Sequence, residues 1–313
     1  MRKDQLVIAS SLTPQQNAYL LAHPSHPKVI PVPTPWEIPE EAEILCTYQM
    51  QWRAAPAARP EKWPGGLKWI QVASSGLDVF PAWFFDGPRI TREAGVQAPT
   101  IAEYVIAAIL AHEKRFWDIR VSAHADWCDR QLGGIDGKMV GLVGMGAIGS
   151  EIAKRALPLG LQIKALTRAR AVETDSIQQA NSLSEIFETC DHVVLALPLT
   201  SLTYRIVNRE VLAASRPHVH LINVSRGAII DDVALLQALN EFRIAAATLD
   251  VTSPEPLPDG HPYYEHPRIR LTPHVSGQSE NLENRLSAMI RDNIDRYLAG
   301  NTLRGIINAD IQY

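Results

Sequence analysis

Cysteine is scarce in this chain: there are three in 313 residues, Cys46, Cys128 and Cys190. Their odd number and wide spacing fit free thiols in a reducing compartment better than a disulfide framework or a cysteine zinc site. No apolar run is long enough for a bilayer. The most hydrophobic helical stretch, Ile101 to Ala111, carries Glu103 and runs into His112-Glu113-Lys114-Arg115, and the apolar residues that follow Met1 are too few for a signal peptide. A cytoplasmic protein without a membrane role is expected. Strong charge of either sign is also missing: the formal net charge is −4 and no long basic run occurs, so nucleic acid is not an expected partner. No metal is expected either, because the spaced pair His23-x-x-His26 lies in a proline-flanked loop without companion ligands. There is no internal repeat and no low-complexity tail.

What the chain does contain is alternation. Its length suggests two domains, each able to bury a core. Short apolar β-type runs alternate with helical patterns, which argues for an α/β protein built on parallel sheets covered by helices. In the first part the runs are Leu6 to Ala9, Val29 to Val32, Ile44 to Thr47 and Trp69 to Ala73, interrupted by proline-rich loops. A long amphipathic helix is expected from about Thr100 toward Ala125. Strands then follow at Met139 to Val143, Gln162 to Leu166, His192 to Leu197, His220 to Val224, Ala246 to Val251 and Ile269 to Thr272, with a closing helix over Ser279 to Ala299. This second region reads as one doubly wound unit.

The turn behind Met139 to Val143 is Gly144-Met145-Gly146-Ala147-Ile148-Gly149, a G-x-G-x-x-G between a strand and a helix. Gly144 permits the tight turn, Gly146 lets backbone approach a pyrophosphate, and Gly149 lets the helix sit close to the strand. In that context the motif predicts dinucleotide binding. After the next strand, where a ribose-binding Asp or Glu would stand, the chain has Thr167-Arg168-Ala169-Arg170. A carboxylate would repel a 2′-phosphate, whereas a guanidinium binds it and Thr167 adds a hydroxyl, so NADP(H) is favoured over NAD(H). The alternative is that Arg168 and Arg170 are solvated loop charges.

Three later segments gather polar residues where strands end, which is where ligands bind in open parallel sheets. They are Asn223-Val224-Ser225-Arg226-Gly227, Leu249-Asp250-Val251-Thr252-Ser253-Pro254-Glu255-Pro256 and Leu271-Thr272-Pro273-His274-Val275-Ser276-Gly277. They offer an arginine for a substrate carboxylate, a histidine for proton transfer and a carboxylate to orient that histidine. Taken singly, each has a structural alternative: Arg226 could cap a turn, Asp250 could cap its loop, Glu255 could be solvated, and His274 is one of ten histidines.

Together these residues resemble the D-isomer-specific 2-hydroxyacid dehydrogenases. The likeness runs from Ser75-Gly76-Leu77-Asp78 through Ala98 to Leu110, the glycine turn, Leu197-Pro198-Leu199-Thr200 and Ile222 to Asp231, and on to Leu249–Leu257 and Thr272-Pro273-His274. The resemblance implies that Arg226 binds substrate, Glu255 partners the histidine and His274 is the proton donor. Ser75 and Gly76 would hold the substrate carboxylate through their backbone, and Asp250 would contact the nicotinamide, with Leu197, Pro198, Val224 and Ser225 along the cofactor. It further implies two doubly wound parallel-sheet domains, Rossmann-like and flavodoxin-like. A substrate domain of residues 1–98 plus 277–313 and a dinucleotide domain of residues 99–276 would flank a cleft, with hinges near Pro99 and Ser276-Gly277. A homodimer is expected, with the helix after Thr100 in the contact. Two departures stand out: the acid missing after the second strand, as in the family's NADP-dependent glyoxylate and hydroxypyruvate reductases, and Tyr263-Tyr264 where many members have Leu-Trp. The expected activity is reduction of a small 2-keto acid to its D-2-hydroxy acid. Phosphite oxidation on the same fold and a nucleotide-sensing corepressor are the rival readings.

Overall fold

Runs of valine, isoleucine and leucine become the strands of two parallel sheets in the computed structural model of the chain, which describes residues 5–167 and 176–307. Each sheet belongs to its own unit, one comprising Met1–Val96 with Ser279–Tyr313 and the other Gln97–Gln278. The first unit contains β1 (Val7–Ser10), α1 (Pro14–Leu21), β2 (Lys28–Pro31), β3 (Ile44–Thr47), β4 (Trp69–Val72) and β5 (Arg89–Thr91). Its strands pair in the order β2-β1-β3-β4-β5, the flavodoxin-type winding.

Strands covered on both faces must be apolar on both, and Ile44, Leu45, Cys46 and Thr47 are all buried. On one face Leu45, Ile70 and Val72 meet an aromatic cluster built on Trp52, Trp63, Trp83 and Phe84. On the other, Ile8, Ile44 and Trp69 meet Leu20 of α1 and Ile290 and Ile294 of the helix Leu282–Leu298. That helix is fastened by Asn293, whose amide donates to Gln71 Oε1 at 2.8 Å. The start of α1 is satisfied by its own side chains: Thr13 Oγ1 accepts from the Gln16 N–H, and Gln16 Oε1 accepts from the Thr13 N–H, each at 3.2 Å.

The second unit opens with α2 (Ala98–Glu113) and continues through β6 (Met139–Val143), α3 (Ala147–Ala156), β7 (Gln162–Leu166), β8 (Ile177–Gln179) and α4 (Leu183–Thr189). It ends with β9 (His192–Leu195), α5 (Arg209–Ala213), β10 (His220–Asn223), α6 (Asp232–Asn240), β11 (Ala246–Leu249) and β12 (Ile269–Leu271). Strand order is β12-β11-β10-β9-β6-β7-β8, the classical doubly wound arrangement with one strand added at the β12 edge. Alternate residues of the strands face two cores. Val140, Leu142, Ile163 and Ile222 pack with α2 and α3, while Val143, Val193, Leu221 and Leu249 pack with α4 and α6.

The long helix expected from Thr100 to Ala125 ends at Glu113, with its cap at Lys114. The apolar positions that anchor it, Ile101, Ala102, Val105 and Ile109, all lie in the unit's own core. Beyond them the apolar spacing continues in sequence through Phe116, Ile119 and Val121, but none of these is buried, and Arg115 turns the chain with φ +51°. The segment that follows leaves Phe116, Trp117 and Trp127 on the surface.

Candidate active site

The second unit builds its site at the carboxyl ends of β6, β10, β11 and β12, where parallel strands release the chain into loops. Gly144, at the end of β6, has φ +104°, and a Cβ there would lie 2.5 Å from the Ala196 carbonyl oxygen. A Cβ on Gly149 would lie 2.3 Å from the Gly144 oxygen, so this glycine lets α3 pack onto the turn. At Gly146, between them, a Cβ would meet nothing within 4 Å, and Gly146 caps α3 without any side-chain bond. This open cradle at a helix start fits a dinucleotide pyrophosphate, with Met145, Ala147 and Ile148 completing the turn. Thr167 follows β7 and is partly buried. Arg168 and Arg170 lie outside the described residues.

The β10 loop is braced by Asn223, which is fully buried. Its Oδ1 accepts from the Ser225 N–H at 3.0 Å and its Nδ2 donates to the Arg226 carbonyl at 2.9 Å, a side-chain-closed turn that fixes the backbone of Arg226. The Ser225 hydroxyl donates to the Leu197 carbonyl, and the Val224 N–H bonds to Leu195 at 3.4 Å, tying this loop to the one that carries Leu197 and Pro198. Half-buried Arg226 donates from Nη1 to the Ser225 carbonyl at 2.8 Å.

Gly227 is where two loops touch. A Cβ on it would sit 2.0 Å from the carbonyl carbon of Thr252, so the backbone after β11 lies directly against this residue. That contact brings Glu255 beside Arg226. Glu255 Oε1 accepts from the Thr252 N–H at 3.0 Å, and Oε2 meets His274 Nδ1 at 3.0 Å. Burial raises the Glu255 pKa, but the hydrogen bonds from His274 and Thr252, with the charges of His274 and Arg226, outweigh it and leave the carboxyl below its ordinary value. An ionised carboxylate only accepts, so Nδ1 of His274 carries the shared proton and Nε2 is the nitrogen left to exchange one.

His274 is 44% exposed on its side chain and sits in the left-handed region at φ +55°. A non-glycine residue holds that conformation only when its surroundings impose it. Here its N–H bonds to the carbonyl of Asp250 at 2.8 Å and to that of Thr272 at 3.0 Å. The Asp250 carboxylate, 1% exposed, accepts from the Val275 and Ser276 N–H groups, each at 2.9 Å, and from the Thr272 hydroxyl at 2.6 Å.

Arg226, Glu255 and His274 therefore come together, and Asp250 stands directly behind the histidine. Ser75 and Gly76 belong to the other unit, in the loop after β4. There the Ser75 hydroxyl bonds to buried Glu93 and its carbonyl accepts from Arg92 at 2.9 Å. Tyr263 is a core residue with its hydroxyl on Asp232 at 2.8 Å, while Tyr264 is exposed. Asn223, Gly227 and Thr272 lie in the segments singled out by sequence, which assigns them no role of their own. An asparagine two residues before a serine at a strand end is a readable turn signal, but the close approach at Gly227 depends on a loop distant in sequence.

Comparison with known proteins places the chain in a family. Residues 106–276 match the model of the D-isomer specific 2-hydroxyacid dehydrogenase NAD binding domain. The chain is 31% identical to a glyoxylate reductase of Thermofilum pendens, over 78% of this chain and 76% of that protein. It is 28% identical to glyoxylate/hydroxypyruvate reductase A of Serratia proteamaculans, over 85% and 87% respectively. A solved NADPH-dependent glyoxylate/hydroxypyruvate reductase from Sinorhizobium meliloti, in complex with NADP and sulfate, shares the fold with a TM-score of 0.81 at 20% identity, covering 99% of this chain and all of the other. With the family model matched over more than half its length, the chain belongs to the D-isomer-specific 2-hydroxyacid dehydrogenases.

Proposed function

We propose that the protein reduces a small 2-keto acid, of the glyoxylate or hydroxypyruvate type, to its D-2-hydroxy acid, using NADP(H) in preference to NAD(H). The observation that carries this reading is the 3.0 Å pair of His274 Nδ1 and Glu255, with the charge of Arg226 acting on the same carboxylate. A bound reduced nicotinamide supplies the hydride. The guanidinium of Arg226 is suited to the substrate carboxylate and to the oxygen on which negative charge develops. His274 gives its Nε2 proton to that oxygen, and Glu255 holds the imidazolium form and its orientation. Ser75 and Gly76 bind the carboxylate from the first unit, and Asp250, Leu197, Pro198, Val224 and Ser225 serve the nicotinamide side.

Support for NADP(H) comes from the Thr167-Arg168-Ala169-Arg170 sequence and from the NADP-bound relative. Steady-state assays with NADPH and NADH against a panel of 2-keto acids, with phosphite as a control, test the proposal. Oxidation of phosphite without reduction of any keto acid would overturn it. A homodimer is part of the reading, supported by the exposed Trp117 and Trp127, at 68% and 76%. Sedimentation should give twice the monomer mass, and Trp117→Glu should lower it. The three free cysteines, two of them buried, support a reducing, cytoplasmic location.

A further inference from the structure

The hydrogen bonds behind His274 run further than the loop that carries it. Asp250 offers about four acceptor positions, and three are committed to the segment Thr272–Ser276: Oδ1 to the Thr272 hydroxyl and Val275 N–H, Oδ2 to the Ser276 N–H. Thr272 has a single hydroxyl proton. Because a carboxylate cannot donate, that proton goes to Asp250, at 2.6 Å. The Tyr104 hydroxyl lies 2.7 Å from the same threonine oxygen and must therefore be the donor in that pair. The direction of the chain is fixed: Tyr104 O–H to Thr272 Oγ1, and Thr272 O–H to Asp250 Oδ1.

Tyr104 stands on α2, 168 residues before Thr272 in sequence. Burial pushes its phenol pKa up; the bond to Thr272 opposes this and the charge of Asp250 adds to it, so the group stays a donor through the neutral range. The titratable and charged groups facing the His274 segment are Glu255 from the β11 loop, Arg226 through Glu255, Asp250 at the end of β11, and Tyr104 from α2.

We propose that Tyr104 and Thr272 are positioning residues that act through Asp250 to hold His274 in its left-handed backbone conformation, and so to keep its Nδ1 on Glu255. Asp250 is the node of this device. Among the described residues its one remaining acceptor position is on Oδ2, so a donor arriving there, such as a carboxamide N–H, would share an anchor with the proton donor. The catalytic consequence rests on the proposed role of His274; the positioning itself does not.

The test is therefore made first on the protein without cofactor. Imidazole carbon and nitrogen shifts of His274 are followed by NMR against pH in the wild type and in Tyr104→Phe, Thr272→Val and Thr272→Ser. His218, whose Nε2 meets Asp191 at 3.0 Å, is the internal control. Loosening the segment weakens the bond that favours imidazolium, so the His274 midpoint should fall by roughly half a unit in Tyr104→Phe. It should fall further in Thr272→Val, return in Thr272→Ser, and leave His218 unmoved. In turnover assays kcat should drop roughly tenfold in the first two variants, with KM within about twofold, since a small misplacement is costly to chemistry. An unmoved His274 midpoint in folded Tyr104→Phe and Thr272→Val, or equal movement of His218, overturns the proposal. A wild type that shows the titration behaviour but turns over no 2-keto acid refutes the proposed function and leaves the positioning intact.

Discussion

The contact at Gly227 allows a sharp test of how the site is assembled. In Gly227→Ala the new methyl would lie 2.0 Å from the carbonyl carbon of Thr252, 2.3 Å from its oxygen and 2.5 Å from the Ser253 nitrogen. Ordinary contact begins near 3.4 Å, so one loop must retreat by roughly 1.4 Å (3.4 − 2.0). The obstacle is backbone on both sides, and no side-chain rotation relieves it. Thr252 is bonded to Glu255 through its N–H at 3.0 Å and to Pro254 through its hydroxyl at 2.9 Å, so the segment moves as a body and draws Glu255 away from His274. A displacement of about 1 Å in a reacting constellation costs on the order of 100-fold in rate, or about 2.7 kcal/mol of barrier. Overpacking should also cost about 1–3 kcal/mol of stability. Steady-state kinetics with NADPH and glyoxylate, a fluorescence titration of NADPH binding and scanning calorimetry measure the three effects. The expected result is a kcat near one hundredth of wild type, NADPH affinity within about threefold, and unfolding a few degrees lower. A kcat within about threefold of wild type, whatever the stability, would refute the claim that this close approach places the Glu255–His274 pair.

His274→Ala should lower kcat by about 100-fold or more while leaving NADPH affinity nearly unchanged; equal losses in both would remove the proton-donor role. Arg168→Asp should reverse the cofactor preference toward NADH, measured as the ratio of kcat/KM values, and an unchanged ratio would return Arg168 to a solvated charge. Acid should weaken the second unit through a histidine cluster at the amino ends of its central strands. The rings of His112 and His220 stack at 4.2 Å, and His192 Nδ1 meets His220 Nδ1 at 3.3 Å. Burial first, then the charge of His192, pushes His112 from 6.5 down to about 4, while burial holds His220 well below its ordinary value. The folded form thus refuses protons that the unfolded chain accepts. Stability is full above about pH 6.5 and is lost as pH falls toward 4, by about 3 kcal/mol from His112 alone. Glu113, where burial is outweighed by bonds to His192 and Lys138 that leave it at about 2, adds loss below its ordinary 4.5. A urea midpoint that does not fall between pH 7 and pH 5 would contradict this account.

Strands covered on both faces were the easiest features to read. Ile44–Thr47, Met139–Val143 and Gln162–Leu166 stand in the structure with the bounds their apolar runs suggest. Two strands that the apolar pattern does not mark, Arg89–Thr91 and Ile177–Gln179, have three residues each and lie at sheet edges, where one side needs no partner and the composition can be polar. The helix stops at Glu113 although the sequence pattern runs on, because Phe116, Ile119 and Val121 keep the apolar spacing without being buried in any core. At the site, Arg226, Glu255 and His274 were legible because each follows an apolar run in a family-like setting. What holds them was not: Tyr104 on Thr272 and Gly227 against Thr252 are pairings between segments far apart in the chain, and no local pattern encodes them.

The first crossover helix of each sheet starts differently. α1 consumes its own leading amides with Thr13 and Gln16, whereas α3 starts on a bare glycine. Duplicated architecture therefore does not mean duplicated capacity: a chain with two such sheets should saturate at one equivalent of dinucleotide, because of these two helix starts only that of α3 is left without a side-chain cap to compete with a visiting anion.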